Sequence, residues 1–500
     1  MLAQVKDVGT WLRRAATVAA VAALSAVSVT AASAAQAARG RAASHAVSPA
    51  VTWIGAREIP GTGNLNKGGD AQLLSVSCSS TGNCGAGGYY TDSDGVQHAF
   101  VVNEVGRKWQ RAQQVAGTAE VDLSGGSRVR SVSCRAVGYC TAGGFYLASG
   151  AAQAFVVQET AGTWQPAEEV PGTADLNVGG SSEVLTVSCG SRNSCGIGGL
   201  YTDAALNQQA FLDSEVNGTW QNASEVPHTG HLNKDGSAEL GTLSCPSAGN
   251  CSGGGYYTDA SGDGQAFTVN EKSGTWSQAH EVPGTARLNR LNAQVASVSC
   301  PSAGNCGAGG SYTLSSGHTQ VFVVSEVRGH WGKAIEVPGT ANLNRDGYSD
   351  LTTVSCHAAG NCAAVGWFAQ GAGDKQPFLA SQVKGAWQRA IKVPDMSRLN
   401  VSANFQPANA QPGALSCGAP GNCTVGGFYT DGHGDLEVFV VSEVNGRWEG
   451  ATELRNSGPL NKGGTAVVNS LSCTSAQVCS GGGAYKSKTG AIEAFVFGET

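Results

Sequence analysis

Residues 78–109 read CSSTGNCGAGGYYTDSDGVQHAFVVNEVGRKW, and variants of this stretch recur to the end of the 500-residue chain. Aligned on cysteine, the sequence gives eight pairs: Cys78/Cys84, Cys134/Cys140, Cys189/Cys195, Cys245/Cys251, Cys300/Cys306, Cys356/Cys362, Cys417/Cys423 and Cys473/Cys479. Successive first cysteines stand 56, 55, 56, 55, 56, 61 and 56 residues apart. Tryptophans keep the same interval at Trp53, Trp109, Trp164, Trp220, Trp276, Trp331, Trp387 and Trp448. Self-similarity at a fixed period signals stacked units that bury their apolar faces on one another. It overrides the three or four separate domains that length alone would suggest.

Each copy divides into four short strands. Leu73–Cys78 alternates small and apolar residues, and Gly85–Tyr90 follows the second cysteine. Ala99–Val102 is apolar without alternation, which implies burial on both faces. The fourth strand starts at Trp109 and runs to Val115. Asp-Gly and Asn-Gly turns separate these runs, as at Asp92–Gly95 and Asn217-Gly218. Sustained helical periodicity is absent from the sequence, so helix content should be near zero. Four antiparallel strands repeated eight times is the pattern of an all-β, eight-bladed β-propeller. An open β-solenoid is the alternative, although its coils are usually shorter. The Gly-Gly of the second strand suits adjacent blades that approach closely.

The ends of the repeat favour closure. The repeats begin with a lone fourth strand, Trp53 to Pro60, and finish with three strands and no fourth. Trp53–Ile59 is therefore expected to complete the blade formed by residues 467–499. Closure of this kind leaves no free sheet edge between the first and last blades.

The cysteines are even in number and spaced Cys-x5-Cys, which in an exported chain points to a disulfide within each copy. The spacing sets the two sulfurs opposite each other, near the mouth of the hairpin that joins strands one and two. Each bridge would close a short loop and contribute about 2–2.5 kcal/mol on the chain-entropy estimate. Zinc pairs usually have two to four intervening residues, and histidine does not recur beside these cysteines, so no metal and no cofactor is expected. Residues 1–37 read as a secretory signal: Lys6, Arg13 and Arg14 precede the apolar run Ala15–Val29, and small residues follow. Bulky apolar residues are missing after Arg13-Arg14, which leaves the twin-arginine route as the alternative to general secretion. Residues 38–50 form a polar linker, and 51–500 the repeat domain. The mature chain is expected outside the cell, as a monomer without a membrane span.

Charge excludes one class of partner. The chain carries 31 basic and 37 acidic residues. Without the first 48 it has 26 and 36, a balance of −10 with no basic stripe. Such a surface repels phosphate backbones, so nucleic acid is not an expected ligand.

Recurrence also sorts the candidate chemistry. Glutamates return just after the third strand (Glu104, Glu159, Glu215, Glu271, Glu326, Glu443, Glu499) and again in the fourth (Glu58, Glu169, Glu225, Glu281, Glu336, Glu453). Paired carboxylates can hydrolyse glycosides, but a group present in nearly every copy reads as scaffold, solvated or paired across strands. Acidic turns such as Asp259–Gly264 and Asp431–Asp435 lack the ligand alternation of a calcium loop and read as turn formers. His228 and His231 occur once, without a third ligand in sequence.

Departures from a repeat point to function more strongly than the repeat does. Copy six departs most. Trp367-Phe368 replaces the usual aromatic-Tyr pair, and Pro377 enters the third strand, where it should sit at the start or cause a bulge. The following connector, Pro394 to Pro412, is five residues longer and contains Phe405, with Lys375, Lys384, Arg389 and Lys392 nearby. Trp367, Phe368, Lys375 and Phe405 are the candidate ligand-binding residues, suited to a sugar or an acidic polymer.

Gly87–Val102, GGYYTDSDGVQHAFVV, resembles the HAF type of extracellular repeat, with its Gly-aromatic strand, Gly turn and His98-Ala99-Phe100. The Ser-Cys-x5-Cys hairpin, as at Ser299-Cys300, is similar to that of secreted propeller-like repeat proteins of high-GC Gram-positive bacteria. The resemblance covers 53–500 and implies fold and compartment but no defined activity. The turn Asn217–Trp220 takes the place of a sialidase Asp-box but lacks its Ser-x-Asp-x-Gly spacing. The expected function is therefore a secreted, non-catalytic platform that binds an extracellular glycan or protein through its loop-rich face. A propeller-type glycan hydrolase or lyase is the first alternative and a structural surface protein the second. The enzyme would need two or three non-repeated acidic, His or Tyr side chains at the mouth of the central channel.

Overall fold

The computed structural model describes residues 53–118, 126–234, 236–371, 373–403 and 407–499. The described strands form eight antiparallel sheets arranged as the blades of a propeller. In blade one the strands are Gln72–Ser80, Asn83–Thr91, Gln97–Val105, and a broken fourth made of Lys108–Trp109 and Gln113–Gln114. Both short pieces of the fourth pair with the third. Blades two to seven repeat this order, with third strands followed by Trp164, Trp220, Trp276, Trp331, Trp387 and Trp448. One phenylalanine per third strand, from Phe100 to Phe495, is shut off from solvent. Burying each such ring contributes about 1.5–3 kcal/mol.

The first strands lie innermost, and their sequence explains how the ring is held. The inner edge of each first strand has no strand neighbour in its own blade. Its N–H groups would be orphaned if buried without partners. The Ser-x-Ser-Cys pattern supplies those partners from the blade before: Val132 N–H donates to Ser75 Oγ at 2.9 Å and Cys134 N–H to Ser77 Oγ at 2.9 Å. Thirteen such bonds, 2.8–3.0 Å long, connect the blades, with at least one across each of the eight seams. What reads in sequence as a run of small residues is a hydroxyl ladder around the axis.

Closure follows the expected route. Trp53–Glu58 pairs antiparallel with the last strand, Ile492–Glu499, matching Trp53 with Glu499 and Glu58 with Phe495. Trp53 packs on Phe497 with ring centroids 5.6 Å apart. The ladder crosses the same join, where Val76 and Cys78 N–H donate to Ser470 and Ser472.

All sixteen cysteines form the eight hairpin disulfides, with Cα–Cα separations of 3.9–4.1 Å. The bridges lie deeper than a hairpin mouth suggests, because each packs on the preceding blade. Cys84, Cys140, Cys195, Cys306 and Cys479 are buried on their second strands rather than set at an open turn. A Cβ on Gly85 would meet the sulfurs of Cys134 and Cys140 at 2.8 Å. The hydroxyls of Thr141 and Ser252 lie 3.4 Å from the sulfurs of Cys195 and Cys306, and that of Thr424 lies 3.5 Å from Cys479. Each disulfide therefore closes its own hairpin and also fills space at the seam.

The two glycines of the second strand answer to different neighbours. A Cβ on Gly87 would meet Val129 of the next blade at 2.6 Å. A Cβ on Gly88 would instead strike the Gln72 carbonyl of its own blade, beside the bulge between Leu73 and Ser75. In blade six the first glycine is Val365, and the residue opposite it in blade seven is Pro412 rather than valine or leucine. At this seam both of the repeated residues are replaced.

Helix content is minimal, as expected, and two other expectations need revision. Among the described residues the connectors hold seven single helical turns, such as Thr62–Leu65 and Thr173–Leu176, each entered through a left-handed residue such as Gly61 at φ 90°. Four residues are too few for sequence periodicity to register. Pro377 lies inside its strand, Asp374–Val383, paired with Trp367 and without a bulge. The equivalent N–H in blades one and two is not used by the ladder of its own sheet. It donates to the next blade's Ser127 or Ser182, whereas blade seven has Ala410 there, so proline removes no needed donor. The glutamates after the third strand are not solvated. Glu104, Glu159, Glu215, Glu271, Glu326 and Glu443 are buried and accept hydrogen bonds across the seam, as from Asn103 to Glu159 at 2.7 Å.

Strand alternation sorts the loops onto two faces. On one, each cysteine hairpin touches the turn before the tryptophan, as where Arg107 N–H donates to the Gly82 carbonyl. On the other, the connectors clasp the Asp-Gly turns: Gly68 N–H donates to the Thr91 carbonyl, and Asn177 reaches the Ala152 carbonyl. Asp92, Asp203, Asp259 and Asp431 accept from backbone N–H groups two and four residues on, which makes them turn formers.

Candidate functional site

The eight innermost strands start at the connector face, and one position within the first two residues of each varies from blade to blade. It is occupied by Gln72, Arg128, Glu183, Glu239, Gln294, Asp350, Gln411 and Val467. The residues beside them are buried scaffold, Leu73, Val129, Val184 and Leu240 among them, while this variable position stays at least partly exposed. Being partly exposed on the strand nearest the axis, this position borders the channel mouth. Directly across the strand pair stands a second variable set: Tyr89, Phe145, Leu200, Tyr256, Ser311, Trp367, Phe428 and Ala484.

Charge is distributed unevenly round this ring. Arg128 lies over the Tyr89 ring of the preceding blade at 4.6 Å and donates twice to Gln97, at 2.9 and 2.6 Å. Arg130 sits against Phe145 at 5.6 Å and pairs with Glu183 of the next blade. Glu239, one blade further on, has its carboxyl pushed up to about 7, first by burial and then by the negative Glu183. Tyr256 stands opposite Glu239 and hydrogen-bonds Ser237 through its hydroxyl at 3.1 Å. Glu183 thus faces a guanidinium, whereas Glu239 on the next blade has only burial and a like charge around it.

Across the mouth, Asp350 hydrogen-bonds Ser311 and leaves its Oδ1 buried without a partner. Burial raises the Asp350 carboxyl and lowers the Lys375 ammonium, each resisted by the other's charge. Lys375 Nζ lies 4.2 Å from the Trp367 ring centre. Two of the four residues expected to bind ligand, Trp367 and Lys375, therefore meet at the mouth. Phe405 lies outside the described residues. Phe368 is fully buried, so its ring is closed to a ligand, and Lys392 rests against it at 5.4 Å. Other blades have at these places a tyrosine hydroxyl donating to a glutamate, as Tyr201 to Glu225 at 3.1 Å. Phe368 with Lys392 replaces that pair, so both partners changed together.

The cysteines serve the scaffold. Cys84, Cys140, Cys195, Cys306 and Cys479 are buried with their sulfurs bridged. Cys251 borders the groove between blades four and five, and Cys362, Cys417 and Cys423 the one between blades six and seven, but these sulfurs are bridged and buried as well. A sulfur that is both bonded and enclosed offers a ligand neither a thiolate nor a surface.

Sequence comparison of one copy with another contained the signal for Arg128, Glu183, Glu239 and Asp350, because they occupy a repeated position whose residue type changes from copy to copy. It lacked the bulge that tells which face of the strand they occupy. The rings of His228 and His231 lie tilted to each other, 5.2 Å apart, in a connector, and among the described residues no cluster of three or more His, Cys, Asp or Glu could hold a metal ion. No described helix is long and apolar enough to cross a membrane.

No family model and no curated protein matches the sequence. Solved structures give distant likenesses. The Hadza microbial sialidase Hz136 is 12% identical over 89% of this chain and 68% of its own, with a TM-score of 0.38. Sqt1 from Chaetomium thermophilum is 11% identical over 89% and 99%, at 0.48. A protein of unknown function from Dyadobacter fermentans is 11% identical over 90% and 99%, at 0.40.

Proposed function

We propose that the chain is a secreted, non-catalytic binding platform whose channel mouth recognises an extracellular glycan or protein. One observation carries this reading: eight blades with a common scaffold present eight different side-chain pairs at one ring of positions. Asymmetry at a partly exposed ring of positions is what recognition needs, and scaffold duty does not require it. Trp367 and Lys375 form one sector of the proposed site, and Arg128 on Tyr89 another. Eight hairpin disulfides suit an oxidising, extracellular setting, in line with the secretory signal proposed for residues 1–37. A glycan array probed with residues 38–500, alongside Arg128→Ala and Trp367→Ala, tests the reading. Ligands bound by the wild type should be lost or weakened at least tenfold in one variant. Retention of every ligand by both variants refutes a site at the mouth.

A propeller-type glycan hydrolase or lyase is the second reading, favoured by Glu183 and Glu239 on adjacent blades. Turnover of a bound oligosaccharide that disappears in Glu239→Gln while binding persists would establish it.

A further inference from the structure

Away from the mouth, on the cysteine-hairpin face, a groove of about 940 Å³ opens between blades four and five. Its size lies in the range that holds small-molecule or short-chain ligands. The corresponding groove between blades six and seven measures about 430 Å³. The indoles of Trp276 and Trp331 line the larger groove and are half-buried, whereas Trp109, Trp164, Trp220 and Trp448 are buried at the same place in their blades. Their ring nitrogens are anchored, Trp276 to Ser214 at 3.0 Å and Trp331 to Asn270 at 3.2 Å, so the rings form fixed platforms.

The lining also breaks the repeat. Lys272 replaces the valine or threonine that ends the third strands of blades one to three and five to seven, and His280, Arg328 and His330 are basic or imidazole side chains within the same groove. All four are exposed. The acids beneath them are already engaged: Glu271 accepts from Ser214 and Glu326 from Asn270 and Ser252. The rim is thus cationic on a body of opposite net charge. Thr268 is polar where the other blades have valine or leucine, and it extends the lining inward.

We infer that this groove binds an acidic oligosaccharide, its sugar rings stacked on Trp276 and Trp331 and its carboxylates facing Lys272 and Arg328. Aromatic platforms with a charged rim suit flat, hydroxyl-rich rings carrying negative groups. A peptide added as a strand would need a continuous free edge. Here the outer strand is broken into Thr275–Trp276 and His280–Glu281, which leaves no such edge.

Fluorine NMR of the secreted protein labelled with 5-fluorotryptophan tests the site. The Trp276 and Trp331 resonances are assigned by Trp276→Phe and Trp331→Phe. Hexagalacturonate is expected to shift both saturably and to leave Trp164 unmoved. Lys272→Gln with Arg328→Gln should weaken that binding about tenfold, and cellohexaose should bind at least tenfold more weakly than hexagalacturonate. Absence of any shift at millimolar hexagalacturonate overturns the site. Equal binding of cellohexaose overturns the acidic ligand, and an equal response to hexaglutamate makes the groove a peptide site instead. Trp367 reports the channel mouth separately, so failure at either face leaves the other testable.

Discussion

The two ends of the innermost strands obey different rules. At the cysteine end, Ser-x-Ser-Cys recurs with few changes, and each residue has a duty to a neighbouring blade. At the connector end, two residues earlier than the bulge, the side chain differs in each of several blades and carries charge of either sign. A single strand therefore divides labour along its length: one end fixes the ring, and the other is left to vary. The difference lies in what each end can do without. A hydroxyl missing from the ladder leaves a neighbour's N–H unpaired, whereas a changed side chain at the partly exposed mouth leaves nothing orphaned.

Removing the join should have the largest effect. Trp53→Ala strips the ring that packs on Phe497, and loss of a buried tryptophan costs about 3–5 kcal/mol. Denaturant unfolding should show that loss as a lowered midpoint, and an unchanged midpoint would mean the first and last blades do not depend on each other.

The next test concerns a rule broken inside the scaffold. Asp213 sits where other blades have valine, alanine or phenylalanine, with Oδ2 unpartnered and its carboxyl pushed up to about 7 by burial. Because the folded pKa exceeds the unfolded one, the stability linked to its protonation is complete below about pH 4. That stability is lost as pH rises through 7. Asp213→Val should therefore stabilise the protein by about 2–4 kcal/mol at pH 8 and by much less at pH 4. Thermal melts at the two pH values decide it. Glu159, raised to about 6 by burial, acts in the same direction, so the wild type itself should melt higher at pH 5 than at pH 8.

A smaller loss is expected at the ladder. Ser77→Ala leaves Cys134 N–H without its acceptor, at a cost of about 1–3 kcal/mol. The smallest belongs to the mouth: Gln294→Ala, on an exposed side chain, should stay within about 0.5 kcal/mol. If that change at the mouth proved as costly as the serine change, the division between the two ends would fall.

Blade six shows how far the sequence could be read. Its departures marked it as the functional copy, yet the blade also carries exchanges within the scaffold. Phe368 and Lys392 replace a tyrosine and a glutamate together, and Gln382 donates to Ser325 where other blades have a glutamate that accepts. Each pairs residues far apart in the chain, so comparing copies one at a time exposed the anomaly and hid its compensation. Trp367 and Lys375, singled out as departures of copy six, do lie together, with Lys375 Nζ 4.2 Å from the Trp367 ring centre. Arg128, Glu183 and Glu239 stood in equally variable positions but looked ordinary on a strand.

Period, cysteine spacing and the unmatched strands at the two ends were enough to specify eight four-stranded blades, their disulfides and the place where the ring closes. Those features are local or self-complementary, and any compact arrangement of them must satisfy the same pairings. Which neighbouring blade each inner-strand side chain faces was settled by a one-residue bulge, since shifting a strand by one residue turns its side chains to the other side. The partners of the serines and glutamates, the seam each disulfide fills, and the gap between blades four and five arise from the packing of one blade on the next. Those contacts join residues more than fifty positions apart, so they exist only once the ring has formed.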